Sequence, residues 1–82
     1  MNREQLRAIV LEELARIAPE LEPAALRADR PLREQVDLDS MDWLNFLIAL
    51  HERLGVEIPE ADYAKLGTLE QTLDYLAAKS GG

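Results

Sequence analysis

The stretch from Ser40 to Leu54 carries more apolar side chains than one face of a helix can hold. Wound at 100° per residue, Phe46, Leu50, Trp43, Leu54, Leu47, Leu44, Ile48 and Met41 spread over roughly 220° of its circumference, about twice the ~100° stripe of an ordinary surface helix. One flank of such a helix is left over for something outside the core. Trp43, Phe46, Leu47, Leu50 and Leu54 form the middle of the arc and are assigned to the core. Met41, Leu44 and Ile48, at i, i+3 and i+7, form a separate edge that is left for a partner or ligand. Gly55 follows as a left-handed C-cap.

The neighbouring segments supply what this helix packs against. Asn2-Arg3-Glu4-Gln5 has the form of a capping box, and Leu6, Ile9, Val10, Leu14 and Ile17 then recur at spacings of three and four, predicting a helix from Arg3 to Ala18 that Pro19 ends. From Pro19 to Asp39 runs a connection longer than the ~12–15 residues usual for structureless loops. Its scattered Leu21, Leu26, Leu32, Val36 and Leu38 predict that it is pinned onto the helices, with one turn at Ala24–Arg27. Val56-Glu57-Ile58-Pro59 reads as a short extended piece and Glu60 to Leu66 as a brief helix stopping at Gly67. Thr68-Leu69-Glu70-Gln71 is a second capping box, opening a helix with Leu69, Leu73, Leu76 and Ala77 on one face and its end near Lys79. The chain therefore reads as all-α, a small four-helix bundle of three longer helices and one short one with a long first loop. Residues 1–79 are expected to form one domain and residues 80–82 a flexible tail.

Eighty-two residues, 48% hydrophobic and 30% charged, are globular proportions with room for one modest core. With no cysteine there is no disulfide framework, thiolate metal site or thiol nucleophile, so any thioester chemistry needs an imported thiol. Sixteen Asp and Glu against nine Lys and Arg give a net charge of −7, which repels phosphate backbones and favours basic partners; nucleic acid is excluded as a ligand. Neither a signal peptide nor a membrane span is present in Met1 to Leu11, and a cytoplasmic monomer is expected.

Spacing disposes of most site chemistry. Ser40 and His51, the one histidine, lie eleven residues apart on one helix, about 16 Å, beyond hydrogen-bond reach for a hydrolase triad. Asp37, Asp39 and Asp42 are acidic enough for calcium, but an EF-hand counted from Asp37 would need Gly at its sixth position and Glu at its twelfth, where the chain has Asp42 and Ile48. His51 reads as a surface residue rather than a metal ligand. Ser40 has two readings: it is the N-cap of its helix, or Asp39 is the cap with Asp42 at the third helical position, leaving Ser40 as the first helical residue with a free hydroxyl. A phosphodiester there would be tolerated by the unpaired donors of the helix N-terminus.

Leu38-Asp39-Ser40-Met41-Asp42 resembles the Asp-Ser-Leu attachment motif of acyl carrier proteins and related phosphopantetheine-binding carrier domains. The segment Leu50-His51-Glu52-Arg53-Leu54-Gly55-Val56-Glu57-Ile58-Pro59 is similar to the end of the second long helix and the Ile-Pro turn of such carriers. The resemblance covers nearly the whole chain. It implies a non-catalytic protein on which a phosphopantetheinyl transferase attaches 4′-phosphopantetheine from coenzyme A to Ser40, with Asp39 helping to orient the transferase or its metal-bound coenzyme A. The thiol of that arm would carry an acyl or aminoacyl group between a loading ligase and synthase or transferase enzymes, with no metal site of the chain's own. It further implies that Met41, Leu44, Ile48 and Asp42 form a partner-docking edge and that a cleft lined by Leu47, Ile58, Tyr63 and Leu66 shelters the cargo.

Three departures bear on partner choice. Where the family often has Gly two residues before the motif's Asp, this chain has Asp37, so either the loop turns differently or Asp37 takes a strained conformation. Asn45, His51 and Arg53 interrupt the acidic run that many fatty-acid carriers show on this helix, which argues for a dedicated pathway over a general fatty-acid synthase. Trp43 replaces a small or β-branched residue and is read as core filler. The competing reading is a helical interaction module whose Met41-Leu44-Ile48 edge binds a partner helix, with Ser40 a cap.

Overall fold

The capping signals and apolar periods yield three long helices: α1 (Arg3–Ile17), α3 (Ser40–Leu54) and α4 (Leu69–Lys79), with a one-turn helix α2 (Leu32–Gln35) inside the long connection. The computed structural model describes residues 2–79, and the tail read as flexible, Ser80–Gly82, lies outside them together with Met1. Among the described residues no strand forms; one isolated antiparallel bridge joins Pro31 to Thr68.

Each long helix starts as its sequence dictates. The Asn2 side chain accepts from the Gln5 amide at 2.8 Å while the Gln5 side chain accepts from the Asn2 amide at 3.0 Å, so two first-turn donors are satisfied reciprocally. Thr68 and Gln71 repeat the arrangement at 3.0 and 3.1 Å ahead of α4. At the end of α3, Gly55 adopts φ 66°, ψ 25° and returns its amide to the His51 carbonyl at 2.8 Å; the left-handed turn is one that other residues enter at a cost.

Helix α1 packs against both α3 and α4, and the 3₁₀ segment Glu60–Leu66 packs against α4. The core between them is aliphatic around one aromatic pair: Leu6, Val10 and Leu14 from α1, Phe46, Leu47 and Leu50 from α3, and Leu69, Leu73 and Leu76 from α4 are all buried. Trp43 is 9% exposed with its ring centroid 5.3 Å from that of Phe46, which makes it core filler. Leu11 is also buried, off the stripe that the α1 sequence marks out, and Glu13, three residues after Val10 and four after Ile9, is buried on it. Glu13, 5% exposed, lies 3.6 Å from Arg16 and 3.8 Å from Arg53, and Arg53 donates two hydrogen bonds to Glu12 at 3.2 and 3.3 Å. Those bonds hold the Glu12 carboxyl below the usual carboxylate range and raise Arg53 further.

The long connection is laid on the bundle, and it contains more structure than one turn. A 3₁₀ turn forms at Pro23–Ala25, slightly before the expected Ala24–Arg27, because Pro23 presets the first residue's φ. Helix α2 is unannounced by any local period. It is held by the Gln35 side chain, which accepts from the Arg27 amide at 2.6 Å and donates to the carbonyls of Arg27 and Arg30 at 2.8 and 3.0 Å. Two backbone bonds then clip the loop to the α4 junction: Leu32 donates to Gly67 at 2.8 Å and Glu70 to Ala28 at 3.1 Å. With Leu32, Val36 and Leu38 buried, the radius of gyration is 11.5 Å. A folded domain of this length should have roughly 12 Å, which leaves no room for a loop splayed from the helices.

Candidate functional site

The approach to Ser40 is an extended run of alternating burial. Val36 and Leu38 point into the core, while Asp37 and Asp39 face solvent. Arg33 steadies the run by donating to the Leu38 carbonyl at 3.4 Å. No described residue other than glycine has positive φ, so Asp37 is not strained; the loop turns here without a left-handed residue.

Asp39 is the N-cap of α3. Its backbone is extended at φ −82°, ψ −179°, its Oδ1 accepts from the Asp42 amide at 2.8 Å, and Asp42 Oδ2 accepts from the Asp39 amide at 3.5 Å. Ser40 is therefore the first helical residue, is exposed, and forms no side-chain hydrogen bond to any described residue. Two carboxylates sit at the positive end of the α3 dipole, where they stabilise the helix start. The hydroxyl between them is left without a structural duty.

Beyond Ser40, the arc of α3 divides as its sequence suggests. Trp43, Phe46, Leu47 and Leu50 are buried and Leu54 is half-buried against the core. Met41 is 63% and Ile48 43% exposed, with Leu44 half-buried between them. Asp42, also half-buried, stands at the head of this edge.

An open-mouthed depression of about 230 Å³ lies between α3 and the segment after it, lined by Leu47, Ile48, His51, Glu57, Ile58 and Tyr63. Three of the four residues expected to line a cleft are there. Leu66 is not: it is wholly buried in the core, and its carbonyl accepts from the Thr72 hydroxyl at 3.1 Å. Sequence alternation missed His51 and Glu57 as wall residues, although their places beside Leu47 and Ile58 were a usable signal. The wall is braced from α4 by Tyr75, whose hydroxyl donates to Asp62 at 2.6 Å and lies 3.4 Å from the Glu57 carbonyl. Burial, reinforced by the bond to Asp62, pushes the Tyr75 hydroxyl up to about 12. That bond, helped by Lys65, lowers Asp62.

His51 stays on the same unbroken helix as Ser40, and its Nδ1 donates to the Val56 carbonyl at 2.7 Å. No three His, Cys, Asp or Glu side chains among the described residues are grouped to hold a metal ion. Nor is any described helix long and apolar enough to cross a membrane.

The family model for the phosphopantetheine attachment site matches residues 4–76. The chain belongs to the acyl carrier protein family. It is 32% identical to an acyl carrier protein of Thermosynechococcus vestitus over 76 residues, covering 93% of this chain and 88% of that one. An acyl carrier protein of Campylobacter hominis is also 32% identical, over 73 residues, with 89% and 86% covered. The solved acyl carrier protein of Enterococcus faecalis superposes with a TM-score of 0.72 at 24% identity, over 96% of this chain and 99% of that one, and shares the fold. Membership in the family implies a 4′-phosphopantetheine prosthetic group and dealings with a phosphopantetheinyl transferase and biosynthetic enzymes.

Proposed function

We propose that the chain is a non-catalytic acyl carrier whose prosthetic arm is attached at Ser40. The observation that carries this reading is the division of labour at the start of α3: Asp39 supplies the cap, so the exposed Ser40 hydroxyl is released for modification. Ser40 Oγ would form the new bond to phosphorus as the pyrophosphate of coenzyme A breaks. Adenosine 3′,5′-bisphosphate leaves with the electron pair, and the hydroxyl proton passes to the transferase. When bound, the arm supplies the thiol that this cysteine-free chain lacks, for an acyl or aminoacyl thioester.

The donor set fits that group. A phosphodiester on the first helical residue would sit at the N-terminus of α3, where the helix dipole and the first-turn amides other than that of Asp42, which Asp39 holds, would offset the nearby carboxylates. Asp39 would orient the transferase, while Met41, Leu44 and Ile48 with Asp42 offer an apolar edge with an acidic head for docking. Asn45, His51 and Arg53 dilute the acidic character of α3, and Arg53 is already paired with Glu12. This supports a dedicated biosynthetic pathway over a general fatty-acid synthase. Incubation with coenzyme A and a broad-specificity phosphopantetheinyl transferase should add one phosphopantetheine to the intact mass of the wild type and none to Ser40→Ala. An unmodified wild type beside a competent control carrier would leave the interaction-module reading in its place.

A further inference from the structure

We propose that Arg33 is a positioning residue for the modification of Ser40: its side chain holds the peptide between Leu38 and Asp39, and through it the angle at which the Ser40 hydroxyl meets the transferase. Arg33 has this role only if the chain is a carrier modified at Ser40, so the proposal rests on that reading. No left-handed residue turns the chain ahead of α3, and the direction of the last peptide before the cap therefore depends on its partners. The Leu38 carbonyl accepts from Arg33 Nε at 3.4 Å and from no backbone amide among the described residues. At the other end of the same peptide, the Asp39 amide donates to Asp42 Oδ2 at 3.5 Å. Both bonds are long for N–H···O contacts, so each is weak and they act as a pair. With the Leu38 side chain buried, the peptide is restrained at its carbonyl, at its amide and at the residue before it. The unit is planar, so its tilt sets φ of Asp39 and hence where the capping carboxylate and the first helical residue begin.

Arg33 is itself firmly presented. It follows Leu32, which is wholly buried and donates to the Gly67 carbonyl at 2.8 Å. Two residues further on, the Gln35 side chain makes three bonds to the backbone of Arg27 and Arg30. A one-turn helix has little stability of its own, so α2 persists because the chain on both sides of Arg33 is tied down. Arg33 is the α2 side chain that bonds the run leading into Ser40. Its guanidinium pairs with no carboxylate among the described residues, so its place at the Leu38 carbonyl is not the by-product of a salt bridge to Asp37 or Asp39.

A pair of substitutions separates the donor from the charge. Glutamine carries an N–H donor as many bonds from the backbone as the Nε of arginine, so Arg33→Gln keeps a partner for Leu38 and loses the charge. Lysine has a methylene at that place, so Arg33→Lys keeps the charge and loses the donor. Arg33→Met loses both. The full chain is mixed with coenzyme A and an excess of a broad-specificity phosphopantetheinyl transferase, and the rate of mass gain is followed as the transferase concentration is varied. A wild type that gains no mass beside a competent control carrier overturns the carrier reading, and this proposal with it. Where the wild type is modified, Arg33→Met and Arg33→Lys should lower the saturating rate about two- to tenfold, the range one net hydrogen bond provides, with the half-saturating concentration changed less than about twofold. Arg33→Gln should recover most of the loss. The carbonyl-carbon NMR shift of Leu38, which reports on the bond directly, should change in the Met and Lys variants and stay near wild type in Gln. Arg33→Lys at the wild-type rate with Arg33→Gln slowed would assign the effect to charge and overturn the proposal. Arg33→Met at the wild-type rate would overturn it too, as would rates that follow the urea midpoints of the variants rather than the presence of the donor.

Discussion

At Asp39 and Ser40 two neighbouring side chains have separate tasks, and substitution can tell the tasks apart. Asp39→Ala removes the acceptor that satisfies the Asp42 amide and should destabilise by roughly 0.5–2 kcal/mol. Ser40→Ala alters an exposed hydroxyl that bonds no described residue and should stay within about 0.5 kcal/mol of wild type in a urea titration. Equal losses would return the cap to Ser40 and weaken the case for a released hydroxyl. Gly55 offers a cleaner backbone test. A Cβ built there meets nothing within 4 Å, so the cost of Gly55→Ala comes from φ 66° alone. About 1–2 kcal/mol is expected, with Gly55→Asn retaining part of the stability because Asn enters the left-handed region more readily. A negligible loss for Ala would mean that α3 can end without that turn.

Between elements, the contact that shapes the candidate cleft is the Tyr75 hydroxyl of α4 donating to Asp62 of the 3₁₀ segment. Its pH dependence has a definite sign. Tyr75 is raised from 10.0 to about 12, so the folded state retains a proton that the unfolded chain gives up above pH 10. The stability it contributes is fully present below that value and is lost as pH rises through about 12. Asp62 is lowered below 3.8 and acts oppositely: its contribution is present above that value and disappears as pH falls through the folded pKa. The denaturation midpoint of the wild type should therefore fall more steeply than that of Tyr75→Phe between pH 10 and 12; parallel curves would show that the hydroxyl does not couple the two elements. Such long-range bonds mark where sequence reading stopped. The three long helices were legible because their caps and apolar periods are local. Helix α2 was not, since one turn is unstable on its own and depends on Gln35 reaching Arg27 and Arg30. Glu13 falls on the apolar stripe of α1, so its burial follows from spacing, but its pairing with Arg53 does not, because Arg53 lies on another helix. At the site, the Asp39–Ser40 cap could be read from adjacent residues, while the absence of Leu66 from the cleft wall depends on how the 3₁₀ segment turns into the core.

For the whole molecule, the net charge of −7 has opposite consequences for folding and for encounter. Unbalanced carboxylates repel one another in the compact state, whereas exposed pairs such as Arg3–Asp74 at 2.7 Å give little back. Salt should therefore raise the melting midpoint. The same charges, with Asp37, Asp39 and Asp42 clustered around Ser40, would draw a basic transferase surface towards the hydroxyl, and salt should weaken that attraction. Raising ionic strength from 0.01 to 0.15 M shortens the screening length from about 30 to about 8 Å, enough to cut steering between partners still apart in solution. Over that range kcat/KM for phosphopantetheine transfer should fall while thermal stability rises, so lost folding cannot account for the slower reaction. A transfer rate indifferent to salt would mean that the apolar edge of Met41, Leu44 and Ile48 governs the encounter by itself. Met41→Ser should lower transfer by the same factor at every ionic strength in that case and also where charge brings the partners together and the edge independently holds them, so the salt dependence of the wild type decides between the two.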